Sequence, residues 1–396
     1  MEQDPLQSIF SRALSGRVLF KDRRVLLSDY IPDRLLFRDK QIAAIGEILA
    51  PLLHSSRCSN ILLYGKTGTG KTAVARYVAK SLLKVATKHG IDLHFPYCNC
   101  RVAGTEYRIL VELGDSLNVR IPFTGLALSE AWSRILEALK AGSLKVVFIL
   151  DEIDFLVKNY GDDLLYEFTR VNERLSKGFF SLIGISNDLR FKEFLDPRVL
   201  SSLSEEEIVF PPYTAEELRA ILSERAKLAF YPGVVREAAI NLCAALAGSE
   251  HGDARRAVDL LRVAGEMAER EGSPHLEEHH IRAAAQSMEQ DRVVDALRSL
   301  PLQAKLVLLS ISTLNSAAST GEVYARYSSL CRKIGIEALT QRRVSALLSE
   351  LDLLGLVSAN VVSQGRYGRT KRISALVTSQ LLRSVFQEDP VIGSLV

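Results

Sequence analysis

The stretch Gly65-Lys66-Thr67-Gly68-Thr69-Gly70-Lys71-Thr72 decides the fold of this chain of 396 residues. The apolar run Ile61–Tyr64 before it predicts a short buried strand, and the residues after it repeat at helical spacing. A strand, a glycine-rich loop and a helix in this order surround an anion with backbone N–H groups and the positive end of a helix. The stretch therefore predicts a site for a nucleoside triphosphate, against the alternative of a chance glycine-rich turn.

The residues of this loop are expected to play different parts. Its glycines let the backbone approach the phosphates and adopt angles that a Cβ would obstruct. Lys71 is expected to reach the β- and γ-phosphates of ATP, and the Thr72 hydroxyl to bind Mg²⁺. We assign contacts with ATP or ADP to the whole loop and to the residue after it: Gly65, Lys66, Thr67, Gly68, Thr69, Gly70, Lys71, Thr72 and Ala73.

The composition is that of an ordinary multidomain protein. A chain of 396 residues exceeds one ordinary core, so two or three domains are expected. Charged residues make up 24% of the chain, and no apolar stretch approaches the length of about 20 residues that a membrane helix needs. The five cysteines form no even framework, which favours small buried residues over a metal or redox role. These features predict a cytoplasmic protein with no membrane contact.

Strands and helices alternate between residues 60 and 210. Further apolar runs at 93–97, 146–150, 179–185 and 208–210 are separated by helical segments. This alternation predicts an α/β domain with a parallel sheet and helices on both faces, spanning residues 1–212. Extra material at about 101–127 precedes the helix that leads to the 146–150 strand.

Two further domains are predicted after the sheet. Beyond Pro211-Pro212 four helical stretches predict a helical lid over 213–290, with Thr214 as the cap of the first helix and Glu217 at its third position. Residues 291–396 form the third domain, which holds 13 basic and 8 acidic residues. A basic C-terminal module on a near-neutral body is a first indication of a polyanionic partner.

Carboxylates follow the apolar run at 146–150. The carboxyl end of a parallel strand is where open α/β sheets bind ligands, so Asp151 is expected to hold Mg²⁺ and Glu152 to polarise the attacking water. The alternative is a solvated acidic turn. Asn187 ends the next predicted strand, where its neutral amide could orient that water. An asparagine at this position could equally cap a helix or form a turn.

The C-terminal domain has the element order of a winged helix. Helices at 303–313, 323–334 and 340–354 precede two short strands joined by a glycine-flanked, basic hairpin tip. The third helix presents a polar, basic front to a major groove, and cations of the tip neutralise the adjacent phosphates. The alternative is a winged helix used for protein contacts. The predicted DNA-binding residues are Gln341, Arg342, Arg343, Arg366, Tyr367, Arg369, Lys371 and Arg372.

The order of these motifs resembles that of the AAA+ ATPases. More narrowly, the chain resembles the archaeal origin-recognition initiators, which are relatives of the eukaryotic origin-recognition and Cdc-type helicase loaders. The resemblance spans about residues 15–385. The stretches that carry it are Tyr30–Pro32 through Phe37-Arg38, Leu150–Asp154, Ser186–Asp188, Asp196–Leu203, Ile208–Tyr213 and Gly252–Ala257.

This resemblance implies further residues of a nucleotide site. Tyr30 and Ile31 would pack on the adenine, and Tyr213 and Arg225 would make additional nucleotide contacts. Arg255 stands at the lid position where a cation reads the γ-phosphate. Arg198 is the candidate arginine finger for the ATP of a neighbouring subunit. Some relatives carry an arginine where this chain has Ser202, so weak trans-activation and slow ATP turnover are expected.

The resemblance also implies a second DNA contact and a cellular role. Arg120, Pro122, Phe123 and Thr124 resemble the initiator-specific loop that meets DNA beside the wing, although Phe123 could instead cover the sheet. The implied function is a nucleoid-associated, ATP-dependent replication initiator that binds double-stranded origin DNA and helps recruit or load the replicative helicase. Paralogous initiators on neighbouring sites are further expected partners. The alternatives are a nucleotide-regulated winged-helix transcription factor, a regulator of origin firing, and a signalling ATPase with a structural winged helix.

Overall fold

The computed structural model describes residues 18–27, 30–314, 317–363 and 369–395, with only the backbone described for 361–363 and 369–370. The chain divides into two compact units, Met1–Arg282 and Ala283–Val396. The domain boundaries expected after residues 212 and 290 remain predictions.

A parallel sheet of five strands forms the centre of the first unit. The strands are β1 (Ile61–Tyr64), β2 (Tyr97–Asn99), β3 (Lys145–Asp151), β4 (Phe179–Ser186) and β5 (Glu206–Val209). They lie in the order β2-β3-β4-β1-β5, and every neighbouring pair is parallel. The order brings the carboxyl ends of β1, β3 and β4 side by side, next to the glycine-rich loop.

Helices cover both faces of this sheet, as predicted. They are α1 (Asp39–Leu49), α2 (Lys71–Lys88), α3 (Cys100–Ala103), α4 (Glu106–Ser116), α5 (Leu128–Gly142), α6 (Ile153–Tyr160), α7 (Asp163–Arg170) and α8 (Pro197–Leu203). Successive side chains of β3 belong to opposite cores: Phe148 packs with α5 and α6, and Val147 packs with α1 and α2. A strand buried on both faces must be apolar throughout, and this explains the continuous run that predicted it.

The predicted strand at 93–97 was wrong in its position. The structure has only an isolated bridge there, between His94 and Val146, and the ladder of β2 starts at Tyr97. Pro96 lies between the bridge and the ladder, and proline has no N–H to donate to a neighbouring strand. Asp39 is the first residue of α1, and Arg38 stands at the cap position.

Four helices follow the sheet: α9 (Ala215–Ala229), α10 (Glu237–Ser249), α11 (Ala254–Glu271) and α12 (Glu278–Ser299). The capping box of α9 is present, with the Thr214 hydroxyl and the Glu217 carboxylate each accepting a backbone N–H of the other residue. This confirms the predicted start of the first lid helix. The last of these helices ends at Ser299, and the division between the two units falls within it, after Arg282.

The second unit has the predicted winged-helix fold. Its elements are α13 (Leu302–Ser312), β6 (Ala318–Ser319), α14 (Thr320–Lys333), α15 (Gln341–Leu353), β7 (Val357–Ser363), β8 (Arg369–Ala375) and α16 (Ser379–Gln387). The strands form an antiparallel sheet in the order β6-β8-β7. The buried face of α15 is formed by Val344, Leu347, Leu348 and Leu351. Across the described parts of the chain, no helix has the length and apolarity to cross a membrane.

Candidate functional site

The glycine-rich loop between β1 and α2 has the backbone geometry that a phosphate loop requires. Gly68 and Gly70 have φ values of 69° and 91°, a region that side chains rarely tolerate. A Cβ on Gly65 would lie 2.4 Å from the carbonyl oxygen of Phe210, so the loop starts against the segment that leads to the lid. The nine predicted loop residues therefore lie together at the carboxyl end of the central strand, and their role in binding a nucleotide remains a prediction.

Lys71 is held inside this loop. Its side chain is buried, and its ammonium donates hydrogen bonds to the carbonyls of Gly65 at 2.8 Å and Lys66 at 2.7 Å. Burial lowers the pKa of Lys71 to about 8, against the attraction of Asp151 and Asp154, which raises it. The ammonium is thus a poorly solvated cation at the position where the phosphates of a nucleotide are expected.

The two residues predicted to bind Mg²⁺ touch each other. The Thr72 hydroxyl donates to Oδ2 of Asp151 at 2.7 Å, and the Asp151 side chain is buried. A hydroxyl and a carboxylate are hard oxygen ligands, which suit Mg²⁺ when it also binds phosphate oxygens. The donor set therefore fits the ion.

Tyr97 is a part of this site that sequence reasoning missed. Its hydroxyl donates to the same Asp151 oxygen at 2.9 Å, and burial raises its pKa. It orients the carboxylate from the neighbouring strand β2. The parallel pairing of β2 with β3 would have indicated this contact, but the predicted position of β2 was wrong.

Glu152 lies at the end of β3 in a strained conformation. Its φ of 54° is in the left-handed region, which costs a non-glycine residue about 1 kcal/mol. Its carboxylate lies 3.2 Å from Nε of Arg101 and 3.5 Å from the Asn99 amide. Strain of this kind is concentrated at functional sites. The role of Glu152 in polarising the attacking water remains a prediction.

Asn187 follows β4 at the same edge of the sheet. Its backbone N–H donates to Oδ1 of Asp154 at 3.2 Å, and Asp154 also accepts from the Ser186 hydroxyl. Within the described part of the chain, the side-chain amide of Asn187 makes no hydrogen bond. The backbone of Asn187 is thus fixed while its amide remains available to a ligand.

The lid touches the phosphate loop directly. A Cβ on Gly68 would lie only 1.7 Å from Oδ1 of Asp253, the residue that caps α11, and the Ala254 N–H donates to the Gly68 carbonyl at 3.2 Å. Arg255 comes next on α11, is exposed, and lies close enough for its charge to act on Lys71. The predicted γ-phosphate sensor is thus brought to the loop, as its proposed role requires.

Arg38 is a second functional candidate that sequence reasoning missed. It is 2% exposed, and its guanidinium donates to the carbonyls of Thr69 at 2.9 Å and Pro211 at 2.8 Å while lying 3.7 Å from the centre of the Tyr213 ring. Among the described residues, no carboxylate forms an ion pair with it. Burial lowers the pKa of Arg38 and raises that of Tyr213. Arg38 therefore joins the phosphate loop to the junction of sheet and lid.

The predicted adenine contacts lie beside the lid. Tyr30 and Ile31 are half-buried, and Arg225 of α9 lies 4.6 Å from the centre of the Tyr30 ring while donating to the Val25 carbonyl at 2.8 Å. Arg225 therefore supports the N-terminal segment, and a direct nucleotide contact remains its predicted role. The predicted finger, Arg198, is exposed and pairs with Asp196 at 3.0 Å.

The insertion before β3 presents its predicted DNA contacts to solvent. Arg120, Pro122, Phe123 and Thr124 are exposed, and the Pro122 carbonyl accepts a hydrogen bond from the Tyr107 hydroxyl. Phe123 is 64% exposed, which contradicts the alternative that it covers the sheet. Arg108 lies 5.0 Å from the centre of that ring, so the tip combines an apolar face with a cation.

The second unit presents the other predicted DNA contacts. Gln341, Arg342 and Arg343 form the exposed first turn of α15, which the Thr340 hydroxyl caps. Arg372 is exposed on β8, and the Lys371 ammonium lies 3.2 Å from the Ser349 hydroxyl. Arg366, Tyr367 and the side chain of Arg369 lie outside the described residues.

Comparisons with known proteins agree along the whole chain. Family models match in three places: an AAA domain at 54–191, a Cdc6 AAA+ ATPase-type lid domain at 219–286, and the C-terminal winged helix domain of CDC6 at 295–385. Each match coincides with one of the three regions described above.

Relatives of full length are also similar. The ORC1-type DNA replication protein of Pyrococcus abyssi is 48% identical over 100% of this chain and 96% of its own length. The ORC1-type DNA replication protein 1 of Methanosarcina acetivorans is 50% identical over 97% of this chain and 94% of its own length. The solved structure of the Aeropyrum pernix ORC1 protein in complex with DNA has a TM-score of 0.84 and 48% identity, over 96% of this chain and 99% of that one. An AAA domain, a Cdc6-type lid and a winged helix follow one another in this chain, and its sequence is close to 50% identical to relatives of the same length. The chain therefore belongs to the archaeal ORC1-type DNA replication proteins, a family of AAA+ ATPases.

Proposed function

We propose that this chain is an ATP-dependent initiator of DNA replication that binds double-stranded origin DNA and helps to recruit or load the replicative helicase. The observation that carries the proposal is the identity of 47–50% over nearly the full length with ORC1-type DNA replication proteins. One structural relative, the Aeropyrum pernix ORC1 protein, was solved in complex with DNA. The exposed, basic start of α15 supports the same partner for this chain.

The proposed hydrolysis follows from the geometry of the sheet edge. The loop backbone and Lys71 bind the triphosphate of ATP, and Glu152 orients and polarises the attacking water, with the Asn187 amide beside it. Thr72 and Asp151 would hold Mg²⁺, which neutralises phosphate charge when it is bound. Turnover is proposed to be slow, because this chain has Ser202 where some relatives carry an arginine, so activation by a neighbouring subunit is expected to be weak.

The contacts between loop and lid support a switch. Arg38 and the contact of Asp253 with Gly68 connect the phosphate loop to the lid, so the occupancy of the loop can bias the lid position. A nucleotide can change the DNA affinity of the protein only if it binds two conformations of the protein with different affinities, and the size of that difference limits the change. We propose that ATP and ADP favour different lid positions, and that this nucleoid-associated protein uses the difference on DNA.

Specific binding to origin DNA tests the proposal. The purified chain with ATP is titrated with duplexes of equal length, one from its own chromosomal origin and one of the same composition in shuffled order. The proposal requires tighter binding to the origin duplex, and footprints across the genome at origins. Equal affinity for the two duplexes would overturn it, and footprints at promoters alone would indicate a transcription factor.

Removal of the wing cations is expected to weaken DNA binding and its salt dependence. With Arg366, Arg369 and Lys371 replaced together by alanine, about three fewer counterions are released, so the slope of log K against log salt should become shallower by about 2 to 3. Fluorescence anisotropy at several salt concentrations measures this slope. Replacement of Arg282, Arg292 and Arg298, three cations on α12, provides a control with the same change in charge. An unchanged slope in the wing variant would exclude the wing as a phosphate contact.

Nucleotide affinity is expected to fall as the pH rises through about 8, where buried Lys71 loses its proton. Below this pH the ammonium attracts the phosphates, and above it the neutral amine does not. Binding of the polyanion favours the protonated form, so the protein takes up protons on binding, and the affinity should fall by up to about tenfold per pH unit above the pKa. Calorimetry in buffers of different ionisation enthalpy measures this uptake. A flat pH profile would show that Lys71 does not titrate in this range.

A further inference from the structure

A groove lies between α2 and the strands β2 and β3, and Tyr97 is the one residue of the nucleotide site described above that lines it. Its volume is about 670 Å³. Apolar side chains form its floor, and they come from α2, from β2, from β3 and from the segment before β2. These are Ala79, Leu83, Phe95, Tyr97 and Ile149. We refer to it as the α2 groove.

Four cations follow one edge of the α2 groove at intervals of four residues: Arg76, Lys80, Lys84 and Lys88. Residues at this spacing lie on one face of a helix, so the row extends over about 18 Å. The helix Lys71–Lys88 contains no aspartate or glutamate. Among the described residues, no carboxylate from another element forms an ion pair with any of the four cations.

This row is unfavourable for the isolated helix. Like charges four residues apart repel each other by a few tenths of a kcal/mol per pair, on the order of 0.2–0.5. The negative end of the helix dipole compensates Lys84 and Lys88 near the C-terminus, but it acts only over about one turn and does not reach Arg76 or Lys80. An anionic ligand along the row would remove the repulsion.

The floor indicates which class of anion fits. Single-stranded nucleic acids bind by stacking bases on open aromatic faces, about one face per base. The floor has two aromatic residues, Phe95 and Tyr97, and the Arg76 guanidinium lies 3.8 Å from the centre of the Tyr97 ring and covers one face of it, so the floor offers no row of open aromatic faces. Ala79, Leu83 and Ile149 offer an aliphatic surface that fits leucine or phenylalanine side chains, as in grooves that receive an amphipathic helix.

We propose that the α2 groove is a docking site for an acidic, amphipathic helical segment of a partner protein. Apolar residues of the segment occupy the floor, and its aspartates and glutamates face the four cations. Tyr97 forms part of the floor and also donates to Asp151 at 2.9 Å, so a bound segment touches a residue that orients the predicted Mg²⁺ ligand. The proposal is independent of origin recognition.

The test uses the full chain and a designed helical peptide of about 16 residues, labelled with fluorescein, with leucine and phenylalanine on one face and glutamate on the other. Lys80→Glu with Lys84→Glu reverses two charges of the row. The matched control is Lys140→Glu with Lys177→Glu, two exposed lysines of the same unit at a distance in sequence from the groove. Binding is followed by fluorescence anisotropy, and the folding of each variant by circular dichroism.

The groove variant is expected to bind the acidic peptide about tenfold more weakly, while the control changes by less than about twofold. A peptide with lysine in place of glutamate, and one with its apolar residues scrambled, should both bind more weakly than the original. Equal weakening in the two variants, or equal binding of the three peptides, would overturn the proposal. A single-stranded oligonucleotide that displaces the peptide and binds the same groove more tightly would also overturn the proposal, because the groove would then be a nucleic-acid site.

Discussion

Replacement of Lys71 by alanine is expected to remove measurable ATP and ADP binding. The Lys71 ammonium is buried, and two loop carbonyls direct it into the phosphate loop. A poorly solvated cation interacts with phosphate more strongly than an exposed one, so its loss should cost about 100-fold or more in affinity. Calorimetry or displacement of a fluorescent ATP analogue measures this loss.

Lys66→Ala is the matched control for that experiment. Lys66 has the same charge in the same loop, but its side chain is exposed and its predicted contact is made by the backbone. Its replacement should change nucleotide affinity by only about twofold. The single tryptophan, Trp132, packs 5.1 Å from the ring of Phe168 in the core of the base, so its fluorescence shows whether both variants remain folded. Equal effects of the two substitutions would contradict the role of Lys71.

Glu152→Gln is expected to preserve nucleotide binding and to reduce ATP hydrolysis by about 100-fold or more. Glutamine keeps the size of the side chain and its contact with Asn99, but it cannot accept the proton of the attacking water. The variant should therefore hold ATP without converting it to ADP. Single-turnover hydrolysis of radiolabelled ATP separates the chemical step from product release.

Binding and hydrolysis must both be measured for this variant. Glu137→Gln, on the helix α5, has the same chemical change away from the sheet edge and should hydrolyse ATP at the normal rate. Turnover of Glu152→Gln at the rate of the unchanged protein would show that another group activates the water. A loss of nucleotide binding together with turnover would mean that the ion pair of Glu152 with Arg101 is needed for the shape of the site.

Local sequence was sufficient where a function is encoded in one continuous segment. The glycine-rich loop, the carboxylates after β3 and the capping box at Thr214 each depend on neighbours a few residues apart. Their backbone geometry therefore follows from the sequence itself. The winged helix was predictable for the same reason, except for β6, whose two residues are too few to show a period.

Contacts between distant segments could not be predicted in this way. Arg38 and Tyr97 act on residues 31 and 54 positions away, and nothing in their immediate sequence indicates these partners. The exposure of Phe123 was also undetermined, because an aromatic residue in a loop can cover a core or face solvent. In each case packing in three dimensions determines the contact or the exposure of the side chain, and sequence periodicity carries no information about that packing.

The buried guanidinium beside the lid has a consequence for the ligand-free protein. Among the described residues no carboxylate forms an ion pair with Arg38, and Lys71, in the phosphate loop that Arg38 contacts, is also buried. Burial costs both cations solvation energy, and at Lys71 the attraction of Asp151 and Asp154 offsets this cost only in part, because the pKa of Lys71 stays lowered. The phosphates of a bound nucleotide place negative charge beside both cations. The nucleotide-free protein should therefore unfold at a lower temperature than the ATP complex or the ADP complex, and bound nucleotide should dissociate slowly during purification.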